Sequence, residues 1–248
     1  MTLYDWPRAA AFGRVIPKNK IYEHAGANTQ LKDLFVREVD QIVWSHKLAP
    51  ETVNLPATKQ VAEVQVFRIT LRTATPDMLV LRSIDKAIPF PLIFELVHGG
   101  RIRTAGAYKK AGGADGTRWM VREYFQSAWQ LEDTAREPLP VALTMGALYE
   151  RLLEPLVAGR TAQLVPGYGE KAQTGFAGPE PEARVTLEER IAQTEAIERQ
   201  TREVARIKAR LGREKQFNRR VGINAELRAA KQELARLTAG GRVAQTDE

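Results

Sequence analysis

Residues 184–237 read RVTLEERIAQTEAIERQTREVARIKARLGREKQFNRRVGINAELRAAKQELARL. The stretch holds no proline, and its only glycines are Gly212 and Gly222. Its apolar residues recur at three- and four-residue spacing, as on a helix with one buried stripe. Leu187, Ile191, Ile197, Val204, Ile207 and Leu211 mark the first part of the stripe, and Val221, Leu227, Leu234 and Leu237 the second. Thr186 followed three residues later by Glu189 has the spacing of a capping box, in which each side chain satisfies the other's free backbone donor. The two heptad tracks slip by about two residues across 217–224. The pattern predicts one helix that continues through the slip. A turn near Gly222, with Asn224 capping a second helix, is the alternative.

The same stretch carries most of the charge. The whole chain has 37 basic and 30 acidic side chains, a net of +7. Residues 184–237 hold 14 basic and 8 acidic ones, so +6 of that +7 sits on the arm. A basic surplus suits an anionic partner such as nucleic acid. With no cysteine in the chain, disulfides, cysteine-ligated zinc and thiol catalysis are excluded. No apolar run approaches the roughly 20 residues that span a bilayer, and the N-terminus lacks a signal-peptide core. A soluble cytoplasmic protein is expected.

Before the arm, the elements alternate between helix and strand. The stretch at 17–28, PKNKIYEHAGAN, is polar and aromatic and reads as a loop. A helix follows, with Thr29 as N-cap and Leu31, Leu34, Phe35, Ile42 and Val43 on one face. VAEVQVFRITLR, at 61–72, is a strand with both faces largely covered. Thr75-Pro76-Asp77 opens a short helix through Ile88. Residues 92–97 and 101–108 flank His98-Gly99-Gly100 as a β-hairpin, and 119–129 is a third strand candidate. A last helix runs over about 143–157, with Pro155 breaking it near its end. The expected fold is therefore a mixed α/β (α+β) globular domain over 1–158. A Gly/Pro-rich linker at 159–183, a basic helical coiled-coil arm at 184–238 and a flexible tail at 239–248 follow it.

Two basic surfaces could meet nucleic acid. On the arm these are Arg206, Lys208, Arg210, Arg213, Lys215, Arg219 and Arg220, answered locally only by Glu203 and Glu214. Side chains so placed along a helix can lie on phosphates. On the hairpin they are Arg101, Arg103, Lys109, Lys110 and Arg118, interleaved with Tyr108 and Trp119, where a base could stack. Against these stands the plain reading of a solvated helix face and a solvent-facing hairpin.

Catalytic patterns are sparse. A divalent-metal nuclease of restriction-endonuclease type would need carboxylates around a metal and a lysine near the attacking water. The candidates are Asp40, Glu63, Glu95 and Lys109, but no Glu-x-Lys or Asp-x-Lys tripeptide falls on an expected strand. His24, His46 and His98 lack metal-ligand spacing. Gly112-Gly113-Ala114-Asp115-Gly116 has neither the lysine nor the helix of a phosphate loop. No metal and no cofactor is expected.

Several stretches resemble a bacterial family catalogued as domain of unknown function 4391. They are YDWPRAAAFGRVIPKNKIYEHAG (4–26), KDLFVREVDQIVWSHKLAPETVNLP (32–56), IPFPLIFEL (88–96), AYKK (107–110) and EKQFNRRVGINAELRAAKQEL (214–234). Members tend to be encoded beside DNA methyltransferases and helicases of restriction-modification or phage-defence type, and the resemblance carries over no catalytic residues. It implies a non-catalytic accessory subunit with a methyltransferase or helicase partner. DNA contact and self-association through the arm are further expectations. A coiled-coil scaffold without DNA contact is a third reading, beside the nuclease.

Overall fold

The computed structural model describes residues 3–112, 118–165 and 185–239. The chain divides into two compact units, Met1–Gly159 and Arg160–Glu248.

In the first unit, a seven-stranded sheet contains β1 (Ala11–Val15), β2 (Val39–Leu48), β3 (Val64–Leu71), β4 (Leu92–His98), β5 (Arg101–Gly112), β6 (Arg118–Gln126) and β7 (Gln130–Leu131). Strands β1 to β6 lie side by side in chain order, and β7 pairs with β5. Among the described strands of this sheet, β3 and β4 are the one parallel pair. That pairing requires a crossover, supplied by α4 (Met78–Ala87). Asp77 caps it by accepting the Leu79 N–H at 2.9 Å. Between β4 and β5 the chain turns on Gly99 and Gly100, at φ 55° and 71°. Two successive left-handed residues make the tight turn whose twist matches an antiparallel hairpin, so the Gly-Gly pair reads as expected.

Strand alternation sorts the sheet into two faces. Phe67, Ile69, Phe94, Leu96 and Ala105 pack with Ile21 of α1 (Lys18–Ala25), Leu34 and Phe35 of α2 (Thr29–Glu38), and Val80, Leu81 and Ile84 of α4. The other face meets α5 (Met145–Leu164), where a Cβ built on Gly106 would lie 2.7 Å from Leu153 Cδ2 and 3.6 Å from Leu156 Cδ1. Near that contact, the Tyr149 hydroxyl donates to Ala107 O at 2.6 Å and accepts the Lys109 N–H at 2.9 Å. A short helix, α3 (Pro50–Val53), follows β2.

Three local expectations are corrected. Residues 18–25 are helical rather than loop: Ile21 and Ala25, four apart, bury together, and Gly26 ends the helix at φ 65°. The next helix is capped by Asn28, not Thr29, and stops at Glu38. Asp40, Ile42 and Val43 therefore lie on β2, because pairing with β3 at eight positions outweighs a helical period in a β-branched run. Finally, α5 passes through Pro155 and continues to Leu164. Leu152, Leu153, Leu156 and Val157 are all buried. Their packing offsets the roughly 3 kcal/mol of an interior proline. Helix thus occupies the start of the expected linker, and residues 166–184 and 240–248 lie outside the described residues.

The second unit contains α6 (Leu187–Arg213) and α7 (Phe217–Ala239). Thr186 and Glu189 form the expected capping box, with Glu189 Oε2 accepting the Thr186 N–H at 2.7 Å and Thr186 Oγ1 accepting the Glu189 N–H at 3.2 Å. The arm is not one helix. The chain turns at 214–216, and Val204 and Ile207 bury against Ile223, Leu227 and Ala230. Gln200 reaches Ala230 O at 2.9 Å and Gln193 reaches Leu237 O at 3.3 Å, so the helices are antiparallel. Thr161 and Arg160, in the last turn of α5, bond Thr194 and Glu198 of α6. The heptad slip marks two seams that face each other. Gly212 and Gly222 both stay helical. At the turn, Glu214 is extended (φ −77°, ψ 126°) and its carboxylate accepts the Gln216 N–H at 2.8 Å.

Candidate nucleic-acid interface

The four residues of the nuclease alternative are not brought together. Asp40 is exposed on β2 and pairs with Arg72 at 2.9 Å. Glu63 lies ahead of β3, 3.3 Å from Lys47 and 2.5 Å from the Gln65 amide. Glu95 and Lys109 stand on opposite faces of the sheet. Glu95 sits opposite Thr104, whereas Phe94 sits opposite Ala105, on the face that Lys109 shares by alternation. Among the described residues, no three His, Asp or Glu side chains converge as a metal ion requires.

The two buried members of that set, Glu95 and Lys109, have structural tasks instead. Glu95 Oε1 accepts from Trp6 Nε1 at 2.8 Å and from Arg136 at 2.6 Å, while Arg68 stands 3.6 Å from Oε2. Arg136 also donates to Tyr4 O at 2.8 Å. The carboxylate therefore anchors the N-terminal segment, which is laced to Glu137 through the Asp5 N–H and Leu3 O. Lys109 lies under the end of α4, where its ammonium donates to Asp85 O at 2.6 Å, Ile88 O at 2.5 Å and Asp85 Oδ1 at 3.3 Å. Those three acceptors use all the protons an ammonium has. Tyr124 donates to the other Asp85 oxygen. Burial pushes the Asp85 carboxyl up and the Lys109 ammonium down, and each charge opposes the shift of the other.

A cavity of about 830 Å³ beside α4 is lined by His24, Arg82, Asp85, Lys86 and Trp119. Most of its charge is engaged within the protein: Arg82 pairs with Glu123 at 3.0 Å, and Lys86 donates to Ala25 O at 2.9 Å.

The hairpin surface is dispersed in the same way. Arg101, Arg103 and Lys109 do share a face, as alternation requires, but Lys109 is withdrawn beneath α4 with no donor left for a phosphate. Arg103 lays its guanidinium 4.4 Å from the Trp129 ring centre and reaches Ala74 O at 3.5 Å. Arg101 is exposed and Lys110 half-buried. The side chain of Arg118 lies outside the described residues.

The second unit concentrates basic groups at one end. Arg206 is held by Glu203 at 2.8 Å, and Arg210 by Glu226 across the two helices. Where the helices join, Arg213, Lys215, Arg219 and Arg220 are all exposed. Arg220 reaches Glu214 O at 3.4 Å. Arg213, Lys215 and Arg219 have no carboxylate partner among the described residues, and over 213–220 only Glu214 is acidic. Beside them Phe217 is 78% and Val221 55% exposed. Linear sequence supplied these cations, and the fold gathers them at one turn.

The structure thus defines a mixed α/β unit carrying buried, internally compensated charges, and a basic helical hairpin. The family model described as "Domain of unknown function (DUF4391)" matches residues 4–234, and the chain belongs to that family. No curated protein and no solved structure matches the chain. Among the described residues, no helix is long and apolar enough to cross a membrane.

Proposed function

We propose that this chain is a non-catalytic accessory subunit that binds DNA through the turn end of its C-terminal hairpin. The α/β unit is the body that docks on a protein partner in a bacterial DNA-modification or phage-defence assembly. The observation that carries the DNA reading is the exposed cluster of Arg213, Lys215, Arg219 and Arg220 around a single acidic residue. The partner class rests on the family resemblance. Cations held away from carboxylates keep their full charge for phosphates, and each contact releases condensed counterions.

The test is fluorescence anisotropy of a labelled duplex with the full chain, across a salt series. Replacing Arg213, Arg219 and Arg220 with alanine removes up to three phosphate contacts. It should weaken binding and flatten the salt slope by up to about 2.7, at roughly 0.9 per contact. An unchanged slope would remove the reading. For the nuclease alternative, supercoiled DNA is incubated with the protein and magnesium or manganese. Intact DNA is expected. Cleavage that disappears in Glu95→Ala would restore that alternative.

A further inference from the structure

The turn of the hairpin presents an aromatic ring as well as charge. In α7 the buried seam runs through Ile223, Leu227 and Ala230, with Leu234 packed at its edge. Extended backwards at the same spacing, that seam reaches Gln216 and Arg220, not Phe217. Phe217 and Val221 lie four residues apart, neighbours on one side of the helix outside the seam. At 78% and 55% exposed, they contribute little to holding the two helices together. An exposed phenyl ring is unfavourable in water, and this one lies within the same eight residues, 213–220, as the exposed Arg213, Lys215, Arg219 and Arg220.

We propose that the hairpin turn takes single-stranded nucleic acid, with Phe217 as the platform on which an unpaired base stacks. Val221 extends the platform, and the surrounding cations hold the flanking phosphates. The inference rests on the reading of this turn as a DNA contact and narrows it to a class of substrate. Cations alone serve a duplex and a single strand alike, because both offer phosphates. A ring does not, because duplex bases already stack on one another and leave no free face. Base–aromatic stacking tolerates any sequence, since every base has a π-face. The composition of the turn, four cations with one aromatic ring and one acid, therefore fits an unpaired strand and does not call for a particular base order. A protein partner seated on the same ring is the competing occupant, and it would need carboxylates placed to answer the four cations.

The experiment compares the full chain with Phe217→Ala and Phe217→Trp. The probes are a labelled oligothymidylate of about 16 nucleotides, the long end of single-strand site sizes, and a labelled duplex. Phe217→Ala should weaken single-strand binding about ten-fold, within the roughly 5- to 150-fold span of one lost stack. Duplex binding should stay within about two-fold. Phe217→Trp should retain single-strand binding, and the oligothymidylate should quench its added fluorescence. Phe217 lies outside the seam, so an unchanged circular dichroism melt is expected and separates lost contact from lost fold. Equal loss on both probes, or no loss on either, would overturn the proposal. If the triple arginine variant also binds both probes as the parent does, the DNA reading itself fails. If only Phe217→Ala is without effect, that reading survives and the stacking role does not.

Discussion

Replacing Lys109 with methionine should be among the most damaging conservative changes in the first unit. The Lys109 side chain is 0% and that of Asp85 3% exposed. The substitution keeps most of the volume but removes the donor shared by Asp85 Oδ1, Asp85 O and Ile88 O. It leaves a buried carboxylate with Tyr124 as its remaining donor. Removing one partner of a buried ion pair costs about 3–5 kcal/mol. For a unit of this size that is a fall in Tm of roughly 6–20 °C. Burial already pushes the Asp85 carboxyl up, and Lys109 is the charge that opposes it most. Without Lys109 the folded state binds a proton at Asp85 more tightly than the unfolded state does. The deficit of the variant should therefore be greatest near neutral pH. It should shrink as pH falls toward the ordinary carboxyl range, near 4. Urea unfolding followed by tryptophan fluorescence is the assay, with Trp119, 5.6 Å from the Lys109 ammonium, as a local reporter. Adding Asp85→Leu should recover more than half of the loss, since neither charge is then stranded. A Lys109→Met protein within about 1 kcal/mol of the parent from about pH 5 to 8 would refute the closed-pair reading.

Two further changes probe the sheet. The His46 ring stands 6.1 Å from Trp6, and its Nδ1 is buried without a hydrogen-bond partner among the described residues. Burial holds its pKa below the usual 6.5, against the pull of Glu95. The unfolded state therefore takes up the proton first: the contribution of His46 is complete above about pH 6.5 and is lost as pH falls through its lower folded value. Stability should fall with acidification by at most about 1.4 kcal/mol per pH unit from this group, and His46→Phe should flatten that slope; parallel slopes would assign the effect elsewhere. Gly106→Ala places a Cβ 2.7 Å from Leu153 Cδ2, in a side chain that is 0% exposed. The expected loss is about 1–3 kcal/mol. Combining it with Leu153→Ala should cost less than the sum of the two, because the clash is gone; strict additivity would contradict the contact.

Local signals were strong where one rule dominated. Gly99-Gly100 required the tight turn, Thr186 and Glu189 formed their capping box, and Asp77 lay at the start of α4. They failed where a partner decided. Residues 39–43 continue the apolar period of α2, yet they become strand because β3 is there to pair with them. Pro155 stays helical because the residues on either side of it are buried. Of the site candidates, Arg213, Lys215, Arg219 and Arg220 were evident as charge. Lys109 was misread as surface because its burial depends on α4, which precedes it by more than twenty residues. Phe217 carries no site signal in the sequence. Its offset from the seam of α7 shows only once the turn at 214–216 is known.

The sequence by itself determined the strands and crossover helix from β3 to β6, the start of the first C-terminal helix and the place where the charge gathers. Those properties depend on neighbours within a few residues and on composition. Only the tertiary structure decided that the heptad slip is a hairpin, that Glu95 and Lys109 stand on opposite faces of the sheet, and which cations at the turn lack a carboxylate partner among the described residues. Those outcomes depend on which buried surfaces meet. An apolar seam is satisfied equally by a second chain or by its own continuation folded back, and local spacing does not distinguish the two.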